Sequence, residues 1–426
     1  MSFSPAFIGA GVFFMLLLAW ISARSWKSKQ SWALVAWHER KASLARIVFS
    51  LLLPLAVVRW GLLKALGSET FGATILGLAA FYVSFAAFSL ITGEKLTRGP
   101  YGTWAAPLGR FYSRKVQTIA AVCGALVWIP GFLLYQAGLP QEWLLGLILL
   151  AAFLLALPSW QSAVRGTWVM YGGLFGFLAI LVGWMQSNIS LVRLDFPPIG
   201  ITPALLTPLG LGILPWIDIA LVSRINAASY PEVAKKSLWI ILGLSIAIDS
   251  AYIAFKHLAL PAVPFITDSY TLLQLIFIAA TLAYLWQGIA VLLVRDVHLK
   301  ESWQSNGGAV GYFRLYIFIL ALLTFALTTA PLFPWTFLVF AGSVAPSWFF
   351  MWMAKKKLAA SAGLVSMLLG LIIGAIWTAA GIAGGSIAEP SFIWDIIPLY
   401  PALLIATISF FFQNLYVRRT IFGWKF

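Results

Sequence analysis

The sequence has little of what a water-soluble protein or a metalloenzyme needs. Only 10% of its 426 residues are charged, whereas 62% are hydrophobic, and an ordinary globular protein is about a quarter charged. No polar stretch is long enough to form a separate soluble domain. The single cysteine, Cys123, excludes an intrachain disulfide and any cysteine-based metal cluster. This composition predicts a protein that lies in a membrane.

Catalytic side chains are equally scarce. The three histidines, His38, His257 and His298, stand in or beside separate loops. There is no Walker A motif, no pair of carboxylates at catalytic spacing and no metal-binding motif. The net charge of +15 comes from residues scattered in short loops, which form no continuous basic face or arm. We therefore expect neither an enzyme nor a nucleic-acid partner.

Long apolar runs without strand-like alternation predict an all-α polytopic membrane protein. A bilayer core of roughly 30 Å needs about 20 apolar residues of helix. The sequence provides thirteen such spans, at residues 5–22, 46–65, 71–92, 115–137, 141–158, 168–186, 203–222, 237–258, 270–294, 311–330, 332–354, 360–384 and 393–416.

The distribution of Lys and Arg orients the chain in the bilayer. When every second loop is assigned to one side, all of the 28 basic residues except Arg59, Lys64, Arg193 and Lys256 belong to that side. The positive-inside rule then predicts an outside N-terminus and a cytoplasmic C-terminus, in a multi-pass protein of the bacterial inner-membrane type. Basic residues follow the first span instead of preceding it, which favours a retained helix over a signal peptide.

Two spans carry helix-breaking residues. Pro54 stands in the middle of the second span, and the seventh contains Pro215 and Asp218 among further Pro and Gly residues. Because these spans are five apart, a repeated five-helix unit must be inverted, and broken helices at equivalent positions are typical of a transporter's central site. The predicted domains are an N-terminal helix and loop (1–45), two inverted repeats (46–186 and 187–354) and two C-terminal helices with a cytoplasmic tail (355–426).

Three motifs carry a family resemblance. The segments "WIDIALVSRINAASYPEVAKKS" from Trp216, "LVRDVHLKE" around Asp296 and "GPYGTWAAPLGRFYSRK" before the fourth span are similar to segments of the sodium/solute symporters. This family includes the proline permeases and the sodium/glucose cotransporters. The resemblance implies a leucine-transporter-like fold and motif roles for Pro215, Asp218 and Arg224. Where the family has a Pro-Glu pair, this chain has Trp104 and Ala105.

The resemblance also implies a sodium site, and no other cofactor is expected. Mapped onto this chain, the ligands are backbone carbonyls near Leu51 and Pro54, a carbonyl near Phe277, and the pair Ala280 and Thr281. Only one side-chain hydroxyl remains where the family usually has two. Because a lone Thr in an apolar helix often bonds its own backbone, Thr281 has either role.

Two opposite charges lie near the bilayer midplane, Arg59 in the second span and Asp249 in the eighth. A charge at this depth costs several kcal/mol unless it is paired or hydrated, so we predict an ion pair. The pair is either a structural latch or the place where Arg59 binds an anionic solute. Gln136 and Gln287 either line a solute path or join helices by hydrogen bonds.

Two hypotheses about function follow. The first is a secondary active transporter of a small polar or anionic solute, such as an amino acid or a monocarboxylate, driven by sodium or protons through alternating access. The second is a transport-inactive module that senses a solute or serves as a subunit of a larger membrane complex. Lipid is a partner in both, and the second also requires a membrane protein partner. The helix breaks favour transport, and the incomplete ion motif favours the module.

Overall fold

The protein was analysed as a computed structural model, which describes residues 5–25, 41–65, 71–98, 102–127, 142–188, 193–194, 206–256, 258–259, 264–298, 306–327, 333–353, 358–383 and 399–422. In chain order the helices are α1 (Pro5–Ser25), α2 (Leu44–Ala65), α3 (Phe71–Arg98), α4 (Ala106–Phe111), α5 (Arg114–Val127), α6 (Glu142–Ala156), α7 (Trp160–Asn188), α8 (Leu206–Ile217), α9 (Ile219–Ile225), α10 (Pro231–Lys256), α11 (Pro264–Leu293), α12 (Asn306–Leu327), α13 (Phe333–Met353), α14 (Ala360–Ala383) and α15 (Leu399–Phe422). A π-helical turn, Val294–His298, extends α11.

The predicted all-α membrane architecture is confirmed. Eight of the described helices are long and apolar enough to cross a bilayer, and three shorter apolar helices lie within α6, α13 and α15. The predicted fourth span corresponds to α5, although its second half lies outside the described residues. The seventh corresponds to α8 and α9 together. Each of the thirteen predicted spans therefore has a helix.

Burial distinguishes the central helices from the peripheral ones. In α11, 94% of the apolar span is buried inside the protein, and in α2 72%, whereas α7 and α10 bury only 22%. An apolar helix that is exposed on most of its surface has lipid as its solvent. The site is therefore expected around α2 and α11.

The helices form two groups that meet at α2 and α11. In the first group, α3 packs against α8 and α10, and α2 packs against α8, α9 and α10 and also reaches α7 and α11 of the second group. In the second, α11 packs against α5, α6, α7 and α12. The helix α13 joins α8 and α5, with α14 and α15 packed against it, while α1 covers α6 and α7.

Backbone pairing shows how the two predicted halves meet. The Ala42 N–H, before α2, donates to the Ala227 carbonyl after α9 at 3.0 Å, and the Ser229 N–H returns a bond to the Ala42 carbonyl at 3.2 Å. The start of α2 thus lies beside the end of α9. At another pair of helix ends, the two-residue strands β1 (Arg193–Leu194) and β2 (Leu258–Ala259) pair antiparallel. The repeat boundaries stay a prediction.

The predicted break in the second span is absent. The helix α2 continues through Pro54 from Leu44 to Ala65. Proline lacks an N–H and frees the carbonyl four residues earlier, which is that of Ser50. The Leu51 carbonyl remains in the regular hydrogen-bonding pattern of the helix. Membrane helices tolerate such a proline because neighbouring helices and side chains satisfy the freed backbone group.

Candidate functional site

The predicted ion pair between Arg59 and Asp249 is present. The Arg59 Nη2 lies 2.8 Å from Asp249 Oδ2 and the Arg59 Nε lies 3.1 Å from the same oxygen. Neither side chain is more than 1% exposed. The pair joins α2 to α10, two helices of the same group. It therefore stabilises that group instead of fastening it to the other one.

Two aromatic side chains complete the shell of Asp249. The Trp60 Nε1 donates to Oδ1 at 2.7 Å and the Tyr82 hydroxyl donates to Oδ2 at 2.7 Å. The Trp60 ring stacks on Tyr252 with its centroid 4.2 Å away. Asp249 thus accepts four hydrogen bonds from α2 and α3. Sequence reasoning missed Trp60 and Tyr82, which resemble ordinary membrane aromatics until the carboxylate between them is located.

Arg59 is less completely satisfied than its partner. Its guanidinium carbon lies 4.5 Å from the centre of the Phe81 ring, a cation–π geometry. Its Nη1 is buried and has no hydrogen-bond partner among the described residues. One donor of a paired, positioned guanidinium therefore remains for another acceptor.

The predicted break in the seventh span is present and lies at Asp218. The helix α8 ends at Ile217, Asp218 has extended backbone angles (φ −70°, ψ 100°), and α9 starts at Ile219. The Asp218 Oδ1 accepts the Leu221 N–H at 2.9 Å, so this side chain is the N-cap of α9. The preceding proline, Pro215, is inside α8.

A tryptophan side chain donates a hydrogen bond to one backbone carbonyl beside this break. The Trp104 Nε1 donates to the Trp216 carbonyl at 2.9 Å. The Trp104 ring stacks on Trp348 with centroids 6.1 Å apart, and both side chains are fully buried. Trp104 therefore has a structural role at the break, which the sequence did not indicate.

The short helix α9 is held against α11 by a polar and an apolar contact. The Arg224 Nη2 donates to Gln287 Oε1 at 3.1 Å. A Cβ placed on Gly288 would lie 2.7 Å from the Ala220 Cα, so only glycine allows this approach. The two groups of helices meet closely here.

The side-chain hydrogen bonds of Gln287 all belong to this region, and none of them is to Arg59 or Asp249. Its Nε2 donates to the carbonyls of Ala156 at 3.0 Å and of Ser159 at 2.6 Å, while its Oε1 accepts from Arg224. These hydrogen bonds correspond to the helix-joining role predicted for Gln287. Gln136 lies outside the described residues.

The residues implied as sodium ligands are buried on α2 and α11, which pack together. On α11, Phe277 is 8% exposed, Ala280 2% and Thr281 0%. The Thr281 Oγ1 has no hydrogen-bond partner among the described residues. Other threonines, such as Thr92 on α3 and Thr324 on α12, donate to the carbonyl four residues earlier. The alternative in which Thr281 bonds its own backbone is thus absent here.

Asp296, at the π-helical turn after α11, forms a cluster that sequence reasoning missed. Thr103 Oγ1 donates to its Oδ2 at 2.7 Å and Gln117 Nε2 to its Oδ1 at 2.8 Å. The Thr118 hydroxyl donates to its backbone carbonyl at 3.2 Å. Both carboxylate oxygens are occupied, so Asp296 fastens α11 to α5. In the part of the chain that the structure describes, no three His, Cys, Asp or Glu residues cluster as metal ligands would.

The protein is a polytopic all-α membrane protein, and comparison with known proteins supports this fold. No model of a known protein family matches the chain, and no curated protein sequence does. Solved structures do match. One is the substrate-bound, outward-open state of a Na+-coupled sialic acid symporter, which aligns with a TM-score of 0.69 at 12% identity over 96% of this chain and 98% of the symporter chain. At this identity the likeness shows the fold, and the sodium/solute symporter family stays a prediction.

Proposed function

We propose that the protein is a secondary active transporter of a small polar or anionic solute, of the amino acid or monocarboxylate class, working by alternating access. The observation that carries this proposal is the broken helix at Asp218 in the centre of a fold shared with a Na+-coupled symporter. Alternating access requires one group of helices to move against another around a central site. The two groups that meet along α2, α9 and α11 provide such an arrangement.

Arg59 is the proposed contact for the anionic group of the solute. Its buried Nη1 lacks a partner, and guanidinium groups bind carboxylates through strong charge-assisted hydrogen bonds. Asp249 fixes the guanidinium through Nε and Nη2, so the proposed receptor is held in place before solute arrives. The latch and the receptor are then two functions of one ion pair.

Sodium is the coupling ion that the symporter resemblance favours. The support is the Thr281 hydroxyl, which is fully buried without a partner on the central helix. The carbonyl freed by Pro54, that of Ser50, replaces the Leu51 carbonyl as the candidate ligand on α2. Phe277 and Ala280 stay proposed ligands on α11.

Uptake by reconstituted proteoliposomes tests the transport proposal. Amino acids and monocarboxylates are supplied outside, with and without an inward sodium gradient. We expect Thr281→Val to abolish sodium stimulation, whereas Thr271→Val, on the same helix with its hydroxyl bonded to the Thr267 carbonyl, should retain it. Absence of uptake for every solute, by protein that is folded by circular dichroism, contradicts the proposal.

One observation favours the second candidate, a transport-inactive module. The Trp104 indole donates to the Trp216 carbonyl. This carbonyl is then no longer free to bind an ion or a solute at the broken helix. A module of this kind would bind a solute without uptake and co-purify with another membrane protein in fixed stoichiometry. Native mass spectrometry of protein extracted with mild detergent distinguishes it from a transporter.

A further inference from the structure

Three carboxylates, those of Asp218, Asp249 and Asp296, are buried inside the described part of the protein, and their surroundings differ. Asp249 accepts four hydrogen bonds and forms an ion pair with Arg59. Asp218, at the break between α8 and α9, is 0% exposed. No Lys, Arg or His of the described residues forms an ion pair with it. A buried acid without a counter-charge is a candidate for binding and releasing a proton.

The neighbours of Asp218 are few. Its Oδ1 accepts the Leu221 N–H, and its Oδ2 has no hydrogen-bond partner in the described structure. The Tyr284 hydroxyl of α11 lies close enough to the carboxylate to interact with it, although the two groups do not meet the geometric criteria of a hydrogen bond in this conformation. Arg224 on α9 donates to Gln287, and its guanidinium carbon lies 5.4 Å from the centre of the Tyr284 ring. The other helices packed against α9, α2 and α3, present no titratable group that acts on Asp218 among the described residues.

The energies favour a neutral Asp218 in this conformation. An unpaired charge buried inside a protein costs several kcal/mol. The N-terminus of a helix stabilises a nearby anion by about 0.3–2 kcal/mol. The cost of burial exceeds this stabilisation. The carboxyl group must therefore bind a cation or become exposed to water whenever it ionises.

The backbone carbonyls of Leu214, Trp216 and Asp218 at the break each accept a hydrogen bond. The Leu214 carbonyl accepts the Asp218 N–H at 3.0 Å, and the Asp218 carbonyl accepts the Val222 N–H at 3.3 Å. The Trp216 carbonyl accepts from Trp104. A sodium ion requires a shell of several oxygen ligands, whereas a proton requires the single oxygen Oδ2.

We propose that Asp218 is a proton-binding site that couples proton movement to the motion of the broken helix. The Oδ2 takes a proton from water when the site opens to one side, and the new O–H donates to the Tyr284 hydroxyl oxygen. The same O–H bond breaks when the site opens to the other side, and the proton returns to water. The coupling to solute rests on the proposed transport function, whereas proton binding by Asp218 does not.

Infrared difference spectroscopy of the protein in liposomes tests proton binding directly. As the pH is raised, we expect loss of the carbonyl stretch of a protonated carboxylic acid. The band should be missing in Asp218→Asn and unchanged in Glu232→Gln, which alters an exposed carboxylate at the start of α10. Tyr284→Phe keeps the acid and removes its acceptor, so the band should move to higher frequency. A wild-type spectrum without the band, or a band unaffected by both Asp218→Asn and Tyr284→Phe, overturns the inference.

Vesicles with a pH-sensitive dye in the lumen separate this inference from the proposed function. If solute is taken up and acidifies the lumen in wild type but not in Asp218→Asn, both stand. Uptake without acidification and without the infrared band leaves transport standing and overturns the proton site. The infrared band without any uptake supports the proton site and contradicts transport.

Discussion

Replacement of Asp249 by Asn is the sharpest test of the ion pair. The change removes the counter-charge of a guanidinium that is 0% exposed. Breaking a buried pair by removing one partner costs about 3–5 kcal/mol. The amide also turns one acceptor into a donor, so either Trp60 or Tyr82 loses its bond to the side chain. We expect Asp249→Asn to lower the free energy of unfolding by about 4 kcal/mol.

Removing both charges should restore much of this loss. In the variant Arg59→Met with Asp249→Asn no charge is left unpaired, and the amide oxygen still accepts from Trp60 or Tyr82. Replacement of both members of a buried pair is often close to neutral. The measurement is unfolding in mixed micelles with rising SDS, followed by tryptophan fluorescence, with Glu232→Gln as the exposed control. The reasoning is refuted if Asp249→Asn is as stable as wild type, or if the two single losses simply add in the double variant.

The remaining predictions concern the contacts of the broken helix. Gly288→Ala places a methyl group against the Ala220 Cα and should cost about 1–3 kcal/mol in the same unfolding measurement, whereas Gly172→Ala, with nothing within 4 Å of its added Cβ, should leave stability unchanged. Trp104→Phe keeps an aromatic ring but leaves the buried Trp216 carbonyl without its donor, at a cost of about 1–3 kcal/mol. The exposed Trp239→Phe is its control, and equal stability of these two tryptophan variants would show that the indole bond contributes nothing.

The membrane architecture was predictable because it follows from strong constraints. Lipid requires long apolar helices, and every predicted span has a described helix, α5 in part. The Arg59–Asp249 pair was predictable for the same reason, since an unpaired charge at that depth is costly. The sequence does not show which neighbouring side chains donate hydrogen bonds to such a charge. The hydrogen bonds of Trp60 and Tyr82 required the fold to bring α2 and α3 beside α10.

The helix breaks show where the sequence is ambiguous. Proline removes the same N–H in both spans, yet α2 continues through Pro54 and the seventh span breaks three residues after Pro215. The difference is the N-cap residue, because Asp218 replaces helical backbone bonds with a side-chain bond to Leu221. Pro54 is followed by apolar residues that offer no such alternative. A proline with a capping residue behind it is thus a better indication of a break than a proline alone.

Some buried polar groups of the central helices have hydrogen-bond partners within the protein and others do not. Asp249, Asp296 and Gln287 use their side-chain oxygens within the protein. By contrast, Arg59 Nη1, Asp218 Oδ2 and Thr281 Oγ1 are buried without a hydrogen-bond partner in the described structure, as are further atoms such as Tyr171 Oη and Ser245 Oγ. Such atoms are rare in native proteins because each costs about 1–3 kcal/mol. The positions of the first three on α2, at the break before α9 and on α11 place this cost where the two groups of helices meet. A solute anion, a proton and a sodium ion would each satisfy one of these three, which is the relation between binding and stability that a coupled transporter requires.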